Sequence, residues 1–136
     1  MSLSIDRSVI GSEFDRCVFD PVSEADIRAY AEVSGDPIRE DGGLIAPATF
    51  VLRLRGKRFM PANFPQLGTT AFDAGKDLEF GVPVRVGDVL TTVGTVHDVY
   101  EKTGRSGTMA FVVLRTVVTN QAAERVAVID QRMMFR

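Results

Sequence analysis

The sequence predicts an α+β domain. Helical periodicity is confined to the first half of the chain, a period of two governs the second half, and no βα alternation joins them. Glycine-rich phosphate loops of the GxGxxG or P-loop kind are missing, which disfavours a nucleotide-binding parallel sheet.

The helix is expected over residues 24–34. Ser23 can cap it, Glu24 and Asp26 put negative charge at its positive end, and Val22 with Ile27 can form a hydrophobic staple. Ile27, Tyr30, Ala31 and Ser34 recur at steps of three and four, with Arg28 and Glu32 outside, and Gly35 can terminate the element. Residues 36–43 read as a turn, punctuated by Pro37, Gly42 and Gly43. Ala46-Pro47-Ala48-Thr49-Phe50 then opens a second helix, with Pro47 in its first turn, Phe50, Val51 and Leu54 as its buried stripe, and Gly56 as its end. Residues 63–75 read as loop, rich in Pro, Gly and Thr.

From Asp77 the pattern is that of a strand. Leu78, Phe80, Val82, Val84 and Val86 alternate with polar or small residues, and Pro83 demands an edge position or a bulge. Gly87-Asp88 turns into a strand over 89–100, residues 103–107 form a hairpin, and 108–118 is nearly continuously apolar, as in a central strand. Residues 120–124 turn the chain and 125–135 close the sheet. The whole is read as one domain over 1–136, with residues 1–14 as an irregular N-terminal arm.

Net charge is −2, so the basic surplus of a nucleic-acid binder is missing. Cys17 is the only cysteine, which excludes an internal disulfide and any multi-cysteine metal centre, and predicts a small packed side chain in a reducing compartment. The start of the chain lacks the basic-then-apolar pattern of a secretory signal, and no run approaches the roughly 18 apolar residues of a membrane span, so a soluble cytoplasmic protein is expected.

Three segments carry a resemblance. Tyr30-Ala31-Glu32-Val33-Ser34-Gly35-Asp36-Pro37-Ile38-Arg39 is similar to a "YA…SGDxNPxH" hydratase stretch, Ile45 to Phe50 to an "APPTF" helix opening, and Pro83 to Leu90 to a "PLRxGDxL" strand end. In that order they resemble the MaoC-like dehydratase branch of the hotdog fold, over about residues 15–136. The resemblance implies a curved antiparallel sheet wrapped around a central helix. It also implies reversible hydration of a trans-2-enoyl thioester of coenzyme A or acyl carrier protein, with no cofactor beyond that carrier. The chemistry needs a group to move protons and N–H donors for the enolate oxygen.

The active branch uses an Asp with a His five residues on. Asp36 matches the Asp, but Asp41 stands five residues later, and in the shortened segment Arg39 falls at the His position. Arginine stays protonated and cannot act as a base. The pattern looks like the degenerate half of double-hotdog members, which shapes the acyl tunnel beside an active half. Asp36 is therefore the candidate catalytic residue, and Arg39, Ala46, Pro47 and Thr49 are candidate substrate contacts. Arg53, Arg55, Lys57 and Arg58 are candidates for docking CoA phosphates or an acidic carrier, or else a solvated helix end. The single histidine, His97, either shares a face with Val93 and Val99 or turns outward at a bulge.

The resemblance thus implies an acyl-thioester-binding subunit of an (R)-specific hydratase/dehydratase, homodimeric or paired with a catalytic hotdog subunit. Its rivals are a hotdog thioesterase, with Asp36 or Asp41 activating water, and a non-catalytic acyl-thioester scaffold.

Overall fold

A computed structural model describes residues 6–62, 64 and 67–136. Of the predicted N-terminal arm, residues 1–5 lie outside the described set, as do 63, 65 and 66 of the predicted loop. A 3-10 turn at Arg7–Val9 leads into strand β1 (Glu13–Val18), helix α1 (Glu24–Ser34) and two short strands, β2 (Arg39–Glu40) and β3 (Leu44–Ile45). A 3-10 helix at Ala48–Arg53 precedes β4 (Ala71–Phe80), β5 (Thr91–Gly104), β6 (Gly107–Thr119) and β7 (Arg125–Phe135). Five strands form one antiparallel sheet in the order β1-β5-β6-β7-β4, while β2 and β3 pair separately.

Helix α1 forms where its caps dictate. Ser23 Oγ accepts from the Asp26 amide at 3.0 Å, satisfying one N–H that the helix start leaves open. At the other end Gly35 takes the left-handed conformation, φ 76°, and its N–H donates to the Ala31 carbonyl at 2.9 Å. Ile27 and Ala31 are buried, whereas Ser34, placed on the same stripe by spacing, is exposed. Val22 and Ile27 share one buried cluster with Phe50, Leu90, Val118 and Ala127, which fastens the helical layer to one sheet face. Tyr30 packs edge-on against Phe50, ring centroids 5.7 Å apart.

The second predicted helix is a six-residue 3-10 segment, not an α-helix. Phe50 and Val51 are buried on it as expected, but Leu54 is already extended. β-branched Thr49 and Val51 are modest helix formers, and the four cations crowded between 53 and 58 repel one another, so nothing favours further turns.

The predicted strand over 77–86 is also displaced. β4 begins at Ala71, inside the predicted loop, and stops at Phe80. Gly75, φ 112°, sits at a bulge between Asp73 and Lys76, and this extra residue hides the period-two pattern of the first half. Beyond Phe80 the Gly81 and Val82 amides still donate to Val126 and Arg125, but Pro83 has no N–H to donate, and the chain leaves β7 to meet β3 at an Ile45–Arg85 bridge. β4 is nevertheless an edge strand, with Phe72 and Phe80 exposed. β5 begins at Thr91 and runs to Gly104, longer than predicted, and β7 matches its predicted span. β1 is an element the sequence reading did not contain.

Candidate functional site

Two cavities of about 350 Å³ each flank the 3-10 helix, and the buried Val51 side chain lines both. The first lies between the loop after the 3-10 helix and the sheet. Arg55, Lys57 and Arg58 stand on the loop side, and Thr92, Gly94, Leu114, Thr116, Ile129 and Gln131 on the sheet side. Asp15 and Lys76 complete it. The second is mostly apolar, formed by Ile45 to Ala48 and Phe80 to Val84, with Arg39, Asp41 and Arg85 as its polar groups. An Arg85 guanidinium nitrogen donates to the Asp41 carbonyl, tying the turn to the segment after β4.

The predicted residues divide between these spaces. Arg39, Ala46 and Pro47 line the second cavity, and Arg55, Lys57 and Arg58 the first. Arg53 does not join the other cations: it lies 4.8 Å over the Phe50 ring and pairs with Asp26 of α1 at 3.6 Å. The predicted four-cation patch is thus three cations on one cavity, because the 3-10 geometry turns Arg53 toward α1. Thr49 lines neither cavity; its Oγ1 accepts the Tyr30 hydroxyl at 2.7 Å. Asp36 is exposed, lines neither cavity, and its carboxylate makes no hydrogen bond or ion pair among the described residues. An ion pair from Arg39 to Asp36 or Glu40, which charge alone would favour, is likewise missing among the described residues. Arg39 is held in the β2–β3 ladder opposite Ile45 instead.

His97 takes the outward alternative. It is the extra residue of a bulge between Val96 and Asp98 and is exposed. On that outer face Arg115 makes a two-pronged pair with Asp130, both bonds 2.8 Å. The Arg115 hydrogen bonds hold the Asp130 carboxyl below the usual range, with burial opposing and the charges of Arg115, His97 and Arg132 assisting.

Several lining residues had gone unread in the sequence. Thr92 and Thr116 interrupt an apolar sheet face, and a polar residue at an inward register position was the signal available for them. Asp15 offered no signal, since β1 itself was not predicted. Its Oδ2 accepts the Lys57 amide at 3.1 Å and the Cys17 thiol at 3.5 Å, fastening the basic loop to β1. A Cβ at Gly56 would collide with that same oxygen.

Residues 8–129 match the model of a family described as FAS1-like, dehydratase domain region. The chain belongs to this family. No curated protein matches the sequence. Among solved structures, it is similar to the MaoC-like dehydratase from Rhodospirillum rubrum, with 22% identity, TM-score 0.64, and coverage of 93% of this chain and 91% of that one. The monoamine oxidase regulatory protein from Archaeoglobus fulgius gives 21%, 0.70, 93% and 90%. The C-terminally truncated HadBC (3R-hydroxyacyl-ACP dehydratase) complex from Mycobacterium tuberculosis gives 20%, 0.66, 93% and 96%. At these identities the likeness shows the fold, and that fold is the hotdog, an α+β curved antiparallel sheet with helical material against it.

Within the FAS1-like dehydratase fold, a cavity under a helical segment can hold an acyl group, while cations beside it can meet phosphates. No group of three or more metal-ligating side chains occurs among the described residues, and no helix there is long and apolar enough to cross a membrane.

Proposed function

We propose that this FAS1-like dehydratase chain is an acyl-thioester-binding subunit of an (R)-specific enoyl-thioester hydratase, or 3-hydroxyacyl dehydratase, acting beside a catalytic hotdog partner. The observation that carries the reading is the 36–41 turn. Arg39, which by the resemblance falls at the histidine position, lines the second cavity and cannot act as a base, and Asp36 lies outside both cavities. The cavity rimmed by Arg55, Lys57 and Arg58 supports binding of an anionic carrier, coenzyme A or acyl carrier protein, and the reading needs no cofactor beyond that carrier.

Edge strand β4, with Phe72 and Phe80 exposed, supports pairing with a second hotdog, either another copy or a catalytic subunit. The assembled nature of the similar HadBC complex favours the second.

The test has two arms. Calorimetry with crotonyl-CoA on the purified chain should give saturable binding, and the ultraviolet absorbance of the enoyl thioester should barely change. Robust hydration by the chain alone would overturn the subunit reading. A thiol-release assay addresses the thioesterase alternative, which Asp41 at the second cavity keeps open. Light scattering showing a stable monomer at micromolar concentration would remove the pairing.

A further inference from the structure

We propose that the basic-rimmed cavity takes a short acyl group carrying a hydroxyl or keto oxygen at the end remote from the thioester, rather than a plain alkyl chain. This rests on the thioester reading above and deepens it.

The sheet side of the cavity is mixed: Phe14, Leu114, Val118 and Ile129 are apolar, and polar side chains interrupt them. Thr92 on β5 and Thr116 on β6 lie on one face, because the register sets Thr92 opposite Val118 and Gly94 opposite Thr116. Thr92 is only 4% exposed, yet neither threonine hydroxyl makes a hydrogen bond among the described residues, and both side chains line the cavity. On the next strand Gln131, opposite Leu114, joins the same face. Its amide nitrogen donates to Asp73 Oδ1 at 2.6 Å, while its carbonyl oxygen accepts no bond among the described residues. Three adjacent strands therefore bring two donor–acceptor hydroxyls and one free acceptor to a single cavity wall, between Leu114, Val118 and Ile129.

An alkyl chain would gain contact with Leu114, Val118 and Ile129 but would strip water from the two hydroxyls and the Gln131 oxygen without replacing their bonds, whereas a hydroxyl can both donate and accept there. Arg55, Lys57 and Arg58 stand on the opposite, loop side, where they can meet the carrier's anionic groups while an acyl oxygen reaches Thr92 and Thr116; Lys76, on β4 opposite Gln131, is a fourth cation on the sheet side. Volume sets the size. About 350 Å³ is near the lower limit for ligand pockets. That volume suits a short acyl group better than a long one.

Calorimetry with hexanoyl-CoA, 5-hydroxyhexanoyl-CoA and dodecanoyl-CoA tests this on the full chain. The hydroxylated ligand should bind about tenfold more tightly than hexanoyl-CoA, and dodecanoyl-CoA should show no advantage. In the Thr92→Val/Thr116→Val double variant, which keeps side-chain shape, the two six-carbon ligands should come within about twofold through loss on the hydroxylated one. Wild type binding hexanoyl-CoA as tightly as its hydroxylated form, or dodecanoyl-CoA more tightly, would overturn the inference and leave the thioester reading standing. A folded double variant that keeps the preference would also overturn it. If no thioester binds wild type, the thioester reading fails and takes this inference with it. The wild-type ligand series decides the matter even if the double variant does not fold.

Discussion

Replacing Gly56 with alanine should destabilise the protein when Asp15 is present and stabilise it when Asp15 is gone. The added Cβ would meet the Asp15 carboxylate, whose Oδ2 accepts the Lys57 amide and the Cys17 thiol. A carboxylate can rotate away, so the cost is the bonds it abandons rather than an unrelieved clash. A hydrogen bond to a charged group is worth about 1.5–3 kcal/mol, reduced here to about 1 kcal/mol because the Lys57 contact is exposed. Gly56 has no left-handed φ, so alanine fits its backbone and should return about 0.5 kcal/mol through the unfolded chain. The net expectation is about 0.5 kcal/mol lost in wild type. In an Asp15→Ala background, itself about 1 kcal/mol less stable, the same change should gain about 0.5 kcal/mol, a coupling near 1 kcal/mol. Urea unfolding at fixed protein concentration reads all four proteins, provided their m-values agree. Equal effects of Gly56→Ala in both backgrounds would refute the clasp between β1 and the basic loop.

Three further outcomes follow from the same geometry. Changing Arg55, Lys57 and Arg58 together to glutamine should weaken CoA-thioester binding roughly tenfold, since each exposed ionic contact contributes about 0.2–1 kcal/mol, and should flatten its salt dependence; unchanged affinity would remove the rim from the site. Asp130→Asn should cost about 1–2 kcal/mol at neutral pH. Because the Asp130 carboxyl is held below its usual range, its contribution is present above the unfolded value of about 4 and lost as pH falls toward the lower folded value, so wild type should lose an acid-range increment of stability that the variant lacks. Arg39→His alone should give at most weak crotonyl-CoA hydration, and inserting two residues so that the segment reads Gly-Asp-x-Asn-Pro-Ile-His should do better, because angstrom-scale misplacement can cost on the order of 10²-fold. Equal inactivity of the folded proteins would mean that the second cavity, which Arg39 and Asp41 line, takes no part in hydration.

Legibility in the sequence followed how local the determining physics was. Helix α1 was readable to the residue because Ser23, Ile27 and Gly35 act within a few positions of one another. β7 was readable because its turn and its alternation are both local. β4 was misplaced because Gly75 inserts a bulge and a bulge erases period two. β1 was missed because its burial pattern follows no alternation: only Cys17 is buried, and the strand exists by pairing with β5, far away in sequence. At the site, Arg39, Ala46 and Pro47 were legible as a motif, and Arg55, Lys57 and Arg58 as a charge run. Which cavity each reaches was not, because that depends on the 3-10 helix turning Arg53 away from the other cations.

The altered turn and the altered helix are consistent with one another. Hydration of an enoyl thioester needs a proton-moving group and N–H donors for the developing oxygen charge, held in fixed geometry. Here the turn carries no histidine, and the segment after it is a single six-residue 3-10 helix carrying Phe50 and Val51 into the core. With Thr49 taken by the Tyr30 hydroxyl and Arg53 by Asp26, that segment is fastened to α1, which leaves it well held and yet chemically quiet. Such a segment divides space rather than performing proton transfer. Val51, facing both cavities, is the partition between them.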